Sequence, residues 1–169
     1  MLEAATLFFF PALVVFAAFS DLLTMTISNR VSAALAILFF AMALASGLNA
    51  ADISWHLASG AAMLVLGFGL FARGWVGGGD AKLAAAAALW LGFDQLGQYA
   101  IFASALGGLL TLAILGLRNW PLAPFLTAPE WIARLYDPGN GVPYGIALSA
   151  AALILYPQSA IWLAAVKLS

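Results

Sequence analysis

Two aspartates stand out in a chain with few charges. Asp21 lies in Phe19-Ser20-Asp21-Leu22, and Asp80 follows a glycine run in Gly77-Gly78-Gly79-Asp80-Ala81-Lys82-Leu83. Ionisable groups inside apolar segments are costly to keep, so they are the first functional candidates. Two carboxyl groups brought together can hydrolyse a peptide bond. One, ionised, takes a proton from water as general base; the other, protonated, gives one to the leaving group. Two carboxylates a few ångströms apart cannot both ionise cheaply, so such a pair shares a proton. Other chemistries lack their residues. The chain has no cysteine, which excludes a thiol nucleophile, a disulfide framework and a Cys-ligated zinc. His56 is the single histidine and has no second His or Cys nearby to complete a metal site. No metal and no cofactor is expected.

Taken one at a time, these residues have plainer readings. Asp21 alone is a helix-end residue at a membrane interface. Asp80 alone is a helix N-cap after a glycine turn. Lys82 snorkels or anchors to headgroups, and at i+2 from Asp80 it lies on a different helical face. Asp52 and Asp94 read as solvated groups in outer loops, and Asp137, Asn140 and Gly141 as turn residues. The joint occurrence of Asp21 with a Gly-Gly-Gly-Asp opening a short helix is what favours chemistry.

The elements that must position them are membrane helices. Of 169 residues, 65% are hydrophobic and 8% charged, and the mean hydropathy is +1.05. Soluble chains are roughly half apolar and about a quarter charged. The fold class expected is all-α, a polytopic membrane helix bundle in contact with the lipid bilayer. A nucleic-acid binder, which needs clustered Lys and Arg, and a disordered chain are both excluded. Charge-free runs predict six transmembrane helices at about 4–20, 31–51, 53–72, 81–93, 97–117 and 143–166, in a single transmembrane domain over 1–169. The first run opens with Glu3 rather than Lys or Arg, so it reads as a retained helix and not a signal peptide.

Basic residues orient the bundle with the N-terminus outside. Arg30, Arg73, Lys82, Arg118 and Arg134 then fall on the cytoplasmic side, with Lys167 alone opposite. Trp55, Trp75, Trp90, Trp120 and Trp162 fall near predicted helix ends, where indoles favour the interface. The loop from Arg118 to Gly141 holds Pro121, Pro124, Pro129 and Pro138 and cannot be one helix. Within it, 129–136 reads as a short interfacial helix with Trp131, Ile132, Leu135 and Tyr136 on one face and Glu130 paired with Arg134.

The fourth helix is short. From Asp80 to Phe93 the rise is about 20 Å against a hydrocarbon core of about 30 Å, so Asp80 is expected to start below the membrane surface. Gly77, Gly78 and Gly79 would supply non-helical backbone at that depth, with positive φ and close approach of another chain such as a substrate strand.

Three motifs in order carry a family resemblance. Gly77-Gly78-Gly79-Asp80 with Lys82-Leu83 resembles the G-x-G-D-x-K-[LF] signature of prepilin peptidases, membrane aspartyl proteases of type IV pilus and related secretion systems. Asp21 with Ile27-Ser28-Asn29 is similar to that family's first-aspartate segment, with Ser28 where proline is usual. Val142-Pro143-Tyr144-Gly145-Ile146-Ala147 resembles its Pro-Tyr-Gly-x-Ala start of the last helix. The resemblance implies a catalytic pair Asp21 and Asp80, motif or substrate-approach roles for Gly77, Gly78, Gly79 and Lys82, and cleavage of the short basic leader of a prepilin or pseudopilin at the cytoplasmic face of the bacterial inner membrane. With no paired cysteines ahead of helix one, it implies the short tight-adherence (Flp-pilus) type, without methylation of the product. The rival readings are a small proton-coupled transporter or channel subunit using both aspartates as a relay, and a non-catalytic secretion-assembly subunit. A glycine-broken helix without an internal repeat speaks against the transporter.

Overall fold

The computed structural model describes residues 2–120 and 129–167. Pro121 and Pro124 of the long loop lie outside the described residues. The architecture is an all-α membrane bundle: α1 Leu2–Thr24, α2 Asn29–Ala45, α3 Ala50–Ala72, α4 Gly78–Leu91, α5 Phe93–Arg118, α6 Glu130–Tyr136, α7 Gly145–Leu155 and α8 Ala160–Lys167, with a 3₁₀ turn at Tyr156–Gln158 before α8.

Among the described residues, only α3, with 23 residues, and α5, with 26, are by themselves long and apolar enough to cross a bilayer. They rise about 34 Å and 39 Å. The α7–α8 stretch passes the same test as one broken span, bent by 46°. Its break corrects the expected continuous helix over 143–166: Pro157 sits in the 3₁₀ turn, where its missing N–H interrupts the α-helical ladder.

Other helix limits also move. The apolar run 31–51 is divided, because α2 stops at Ala45 and Gly47 takes φ +71° in the turn. Asn49 then caps α3 by accepting the Asp52 N–H at 2.9 Å. Asp52 and Asp94 are therefore not loop residues; each sits in the first turn of a helix, where a carboxylate complements the exposed N–H groups. The α4–α5 connection is Gly92 alone, at φ +85°, a conformation that only glycine adopts without strain.

α4 is the buried centre. Its alanines pack against a face of α3 built on His56, Ser59, Gly60, Met63 and Gly67. A Cβ on Gly60 would lie 3.1 Å from the Leu89 Cβ, and one on Gly67 would lie 2.9 Å from the Ala81 Cβ. Small residues let the two backbones approach closely, the usual solution where lipid removes the hydrophobic drive between helices. At the far end Ser59 Oγ donates to the Ala88 carbonyl at 2.9 Å. His56 Nδ1 meets the Leu89 carbonyl at 2.7 Å. Both carbonyls belong to the last turn of α4, where acceptors run short of intrahelical donors; that of Ala88 also accepts the Gly92 N–H at 3.0 Å. His56 is thus a buried helix-end partner.

Trp90 departs from its expected interfacial place. It is fully buried, donates Nε1–H to the Leu35 carbonyl at 2.8 Å, and packs on Phe10 and Tyr156. Burying an indole without a partner for its N–H would be costly, and the α2 carbonyl meets that need. Trp55, Trp75 and Trp120 are exposed.

Candidate active site

α1 does not end at Asp21 but runs one turn further, to Thr24. The chain then folds back: Met25 takes φ +54°, and Ser20 Oγ donates to the Thr26 carbonyl at 3.0 Å. Ser28, at the position where the family pattern has proline, caps α2 by accepting the Arg30 N–H at 3.3 Å with φ −67°. This φ is also that of proline, so the departure keeps the backbone and adds a side-chain cap.

Asp21 is buried and faces α7. Gly145 N–H donates to Asp21 Oδ2 at 2.7 Å. Gly145 opens α7, so its N–H is one of the four at a helix start with no intrahelical acceptor. A carboxylate there also faces the positive end of the helix dipole. A side chain at 145 does not fit: a Cβ would lie 2.9 Å from Asp21 Oδ2 and 2.8 Å from Ile27 Cδ1.

Asp80 occupies the third position of α4, with Gly77 as N-cap. Its carboxyl accepts the Gly77 backbone N–H, the return bond of a capping box. Its Oδ1 is buried with no hydrogen-bond partner among the described residues. Asp80 opens into a cavity of about 620 Å³ between α3, α4, α5 and α7. Gly77, Tyr99, Ser104, Thr111 and Tyr144 also line it, among aliphatic side chains. The two carboxyl groups lie within electrostatic reach of each other.

The glycine run behaves differently from the sequence expectation. Gly77 is extended at φ −68°, and Gly78 and Gly79 are already helical. Positive φ falls instead on Gly74, at +73°. Close approach is real at Gly79, but the neighbour is this chain's own loop: a Cβ there would lie 3.2 Å from the Ile27 carbonyl oxygen. Gly78 faces the Phe71 ring. Lys82 is exposed and donates to Asn29 Oδ1 at 2.8 Å, tying α4 to the start of α2. Of these four residues only Gly77 borders the cavity.

Ile27 is the wedge of the site, with its backbone against Gly79 and its Cδ1 against Gly145. It spaces the helix of Asp80 from the helix that holds Asp21. Arg134 Nη2 donates to the Leu23 carbonyl at 2.7 Å, whereas the sequence pairs it with Glu130. α6 is thereby strapped to the end of α1. Arg118 holds the following loop through the Leu135, Asn140 and Gly141 carbonyls.

Asp21 and Asp80 thus come from separate helices, each accepts a backbone N–H, and of the two only Asp80 lines the cavity. The family model of type IV leader peptidases matches residues 8–112, more than half of the chain and the part that holds both aspartates. The chain belongs to the type IV leader peptidase family. No curated protein and no solved structure matches it. As a type IV leader peptidase it is a membrane-embedded protease. The match ends before α6 to α8, yet the donor to Asp21 comes from α7.

Ile27, Asn29 and Gly145 stand in the sequence as motif letters alone, and Tyr99 and Gly107 belong to no motif. A lone tyrosine and a glycine pair inside an apolar run carry no spacing signal, so nothing in the sequence sets them apart.

Proposed function

We propose that the chain is a prepilin peptidase that cleaves the basic leader of a type IV or Flp-type prepilin with Asp21 and Asp80 as its catalytic pair. The observation that carries this reading is the shared setting of the two carboxyls. Asp21 is held by a helix-start N–H, and Asp80, whose buried Oδ1 has no hydrogen-bond partner among the described residues, lines a largely apolar cavity. One carboxylate activates water, the other protonates the departing amine, and their proximity suits a shared proton. An apolar cavity beside Asp80 suits a substrate whose cut lies at the edge of its own membrane helix. Excluding bulk water there strengthens the electrostatic interactions of the site.

In this reading the enzyme sits in the bacterial inner membrane with six spans, the N-terminus outside and the aspartates at the cytoplasmic face. Reporter fusions after Arg30, Gly78 and Arg134 are then expected on the cytoplasmic side, and fusions near Asp52 and Asp94 on the other. The decisive experiment is leader cleavage in membranes of cells lacking other prepilin peptidases, with a co-expressed candidate prepilin. Cleavage by the wild type and none by a well-expressed Asp80→Asn variant supports the proposal. Equal cleavage by both ends it.

A further inference from the structure

α7 begins at a joint between three helices. On the α5 side, Gly107 is buried, and a Cβ at that position would overlap the ring and hydroxyl of Tyr144, lying 2.6 Å from Tyr144 Cε1. No residue with a side chain fits there while the ring stays in place. The adjacent Gly108 has nothing within 4 Å of a Cβ, so the requirement belongs to Gly107 and not to a glycine-rich stretch in general. Gly107 is therefore a notch in α5 that receives the Tyr144 ring. Thr111, one turn further along, donates to the Gly107 carbonyl at 2.8 Å and, like Tyr144, lines the cavity of Asp80.

On the α1 side, the residue after Tyr144 is Gly145, whose N–H holds Asp21 at 2.7 Å. Tyr144 is itself in helical conformation, with φ −69° and ψ −20°, and its carbonyl accepts the Leu148 N–H at 3.1 Å. The ring and the next N–H are thus parts of one helical start. Seating the ring fixes where that N–H points. The far side has no slack, because Gly145 is already in tight contact with Asp21 and Ile27. A ring pushed out of its notch carries the first turn of α7 with it, and the hydrogen bond to Asp21 is lost.

We infer that Gly107 is a positioning residue for the catalytic pair, acting on Asp21 through the Tyr144 ring and the Gly145 N–H. The inference rests on the reading in which Asp21 is catalytic. Gly107 touches neither aspartate and has no chemistry of its own; its contribution is the absence of a side chain.

The test compares the purified full-length wild type with Gly107→Ala, Gly108→Ala, Tyr144→Ala and the double variant Gly107→Ala/Tyr144→Ala. Two quantities are read: hydrogen–deuterium exchange of the Gly145 amide by mass spectrometry, and kcat and KM for leader cleavage per folded molecule. Gly107→Ala is expected to speed exchange and lower kcat by about tenfold or more, the size expected for losing one hydrogen bond to a charged group. KM should change little. Gly108→Ala should match the wild type in both. In the Tyr144→Ala background, Gly107→Ala should add nothing, because the ring it collides with is gone.

A purely structural glycine would lower the melting temperature without changing kcat per folded molecule, and that result overturns the inference. So does unchanged exchange in folded Gly107→Ala, or a further loss from Gly107→Ala when Tyr144 is already alanine. Should Gly107→Ala fail to insert, Tyr144→Ala alone must still speed exchange at Gly145, and wild-type exchange there overturns the inference equally. Exchange does not depend on proteolysis. A wild type that fails to cleave prepilin counts against the protease reading, whereas a cleaving wild type with an indifferent Gly107→Ala counts against the positioning role alone.

Discussion

Asp21 and Gly145 stand 124 positions apart in the chain and meet through a 2.7 Å hydrogen bond from the Gly145 N–H to Asp21 Oδ2. This one contact closes α7 onto α1 and orients a carboxylate that would otherwise be free to turn. It also explains why a glycine opens α7, since any side chain at 145 would strike the carboxylate itself. Asp80 is oriented by a different device, a backbone N–H of its own helix start. The two carboxyls are thus anchored by independent parts of the chain.

Asp21→Asn and Asp80→Asn keep the side-chain shape and remove the carboxyl chemistry. Each alone is expected to reduce leader cleavage by about a thousandfold or more, and the double variant to be no worse, because members of one catalytic unit are strongly non-additive. Asp52→Asn and Asp94→Asn, in helix first turns at the opposite end of the bundle, should cleave normally. A prepilin processing assay by gel shift, normalised to enzyme level, checks all five.

Ser28→Pro is expected to fold and stay active. The backbone at 28 already has φ −67°, which proline adopts without strain. Losing the cap to Arg30 costs about 1 kcal/mol, and restricting the unfolded chain returns about 0.4–1 kcal/mol. A change in unfolding free energy beyond about 1.5 kcal/mol in detergent, the scale of a lost cap with no compensation, would contradict this account of the missing proline.

Gly67→Leu should separate α3 from α4. A Cβ at 67 would already lie 2.9 Å from the Ala81 Cβ, and three further carbons would enter a closed contact. Overpacking of this kind costs about 1–3 kcal/mol. Asp80 immediately precedes Ala81, so cleavage should fall along with thermal stability. Gly69→Leu, where nothing lies within 4 Å of a Cβ, is the control and should melt like the wild type.

His56→Leu tests the assignment of His56 to structure. Removing the imidazole leaves the buried Leu89 carbonyl without its 2.7 Å partner, a loss of about 1–3 kcal/mol. The melting temperature should fall while kcat per folded molecule stays within about twofold of wild type, far from the orders of magnitude that losing a catalytic unit costs. A large drop in kcat at unchanged stability would instead place His56 in the mechanism.

The sequence by itself determined the membrane environment and the all-α class, and it singled out the two aspartates as candidates. Composition and charge-free runs report directly on transfer from water to lipid, and an intramembrane carboxylate is costly enough to be conspicuous in any apolar sequence. Helix limits were less legible, because a charge-free run does not distinguish a helix from the turn that follows it. The run 31–51 conceals the Gly47 turn, and 143–166 conceals the break at Pro157. Hydropathy alone also could not tell that Trp90 lies at the centre of the bundle, because an indole near a helix end reads as interfacial until the neighbouring helices are in place. Only the tertiary structure decided what each glycine is for. Gly79 admits Ile27, Gly145 admits Asp21 and Gly107 admits a tyrosine ring. The need for a missing side chain arises from a neighbour far away in the chain, and no local pattern of residues encodes that neighbour's position.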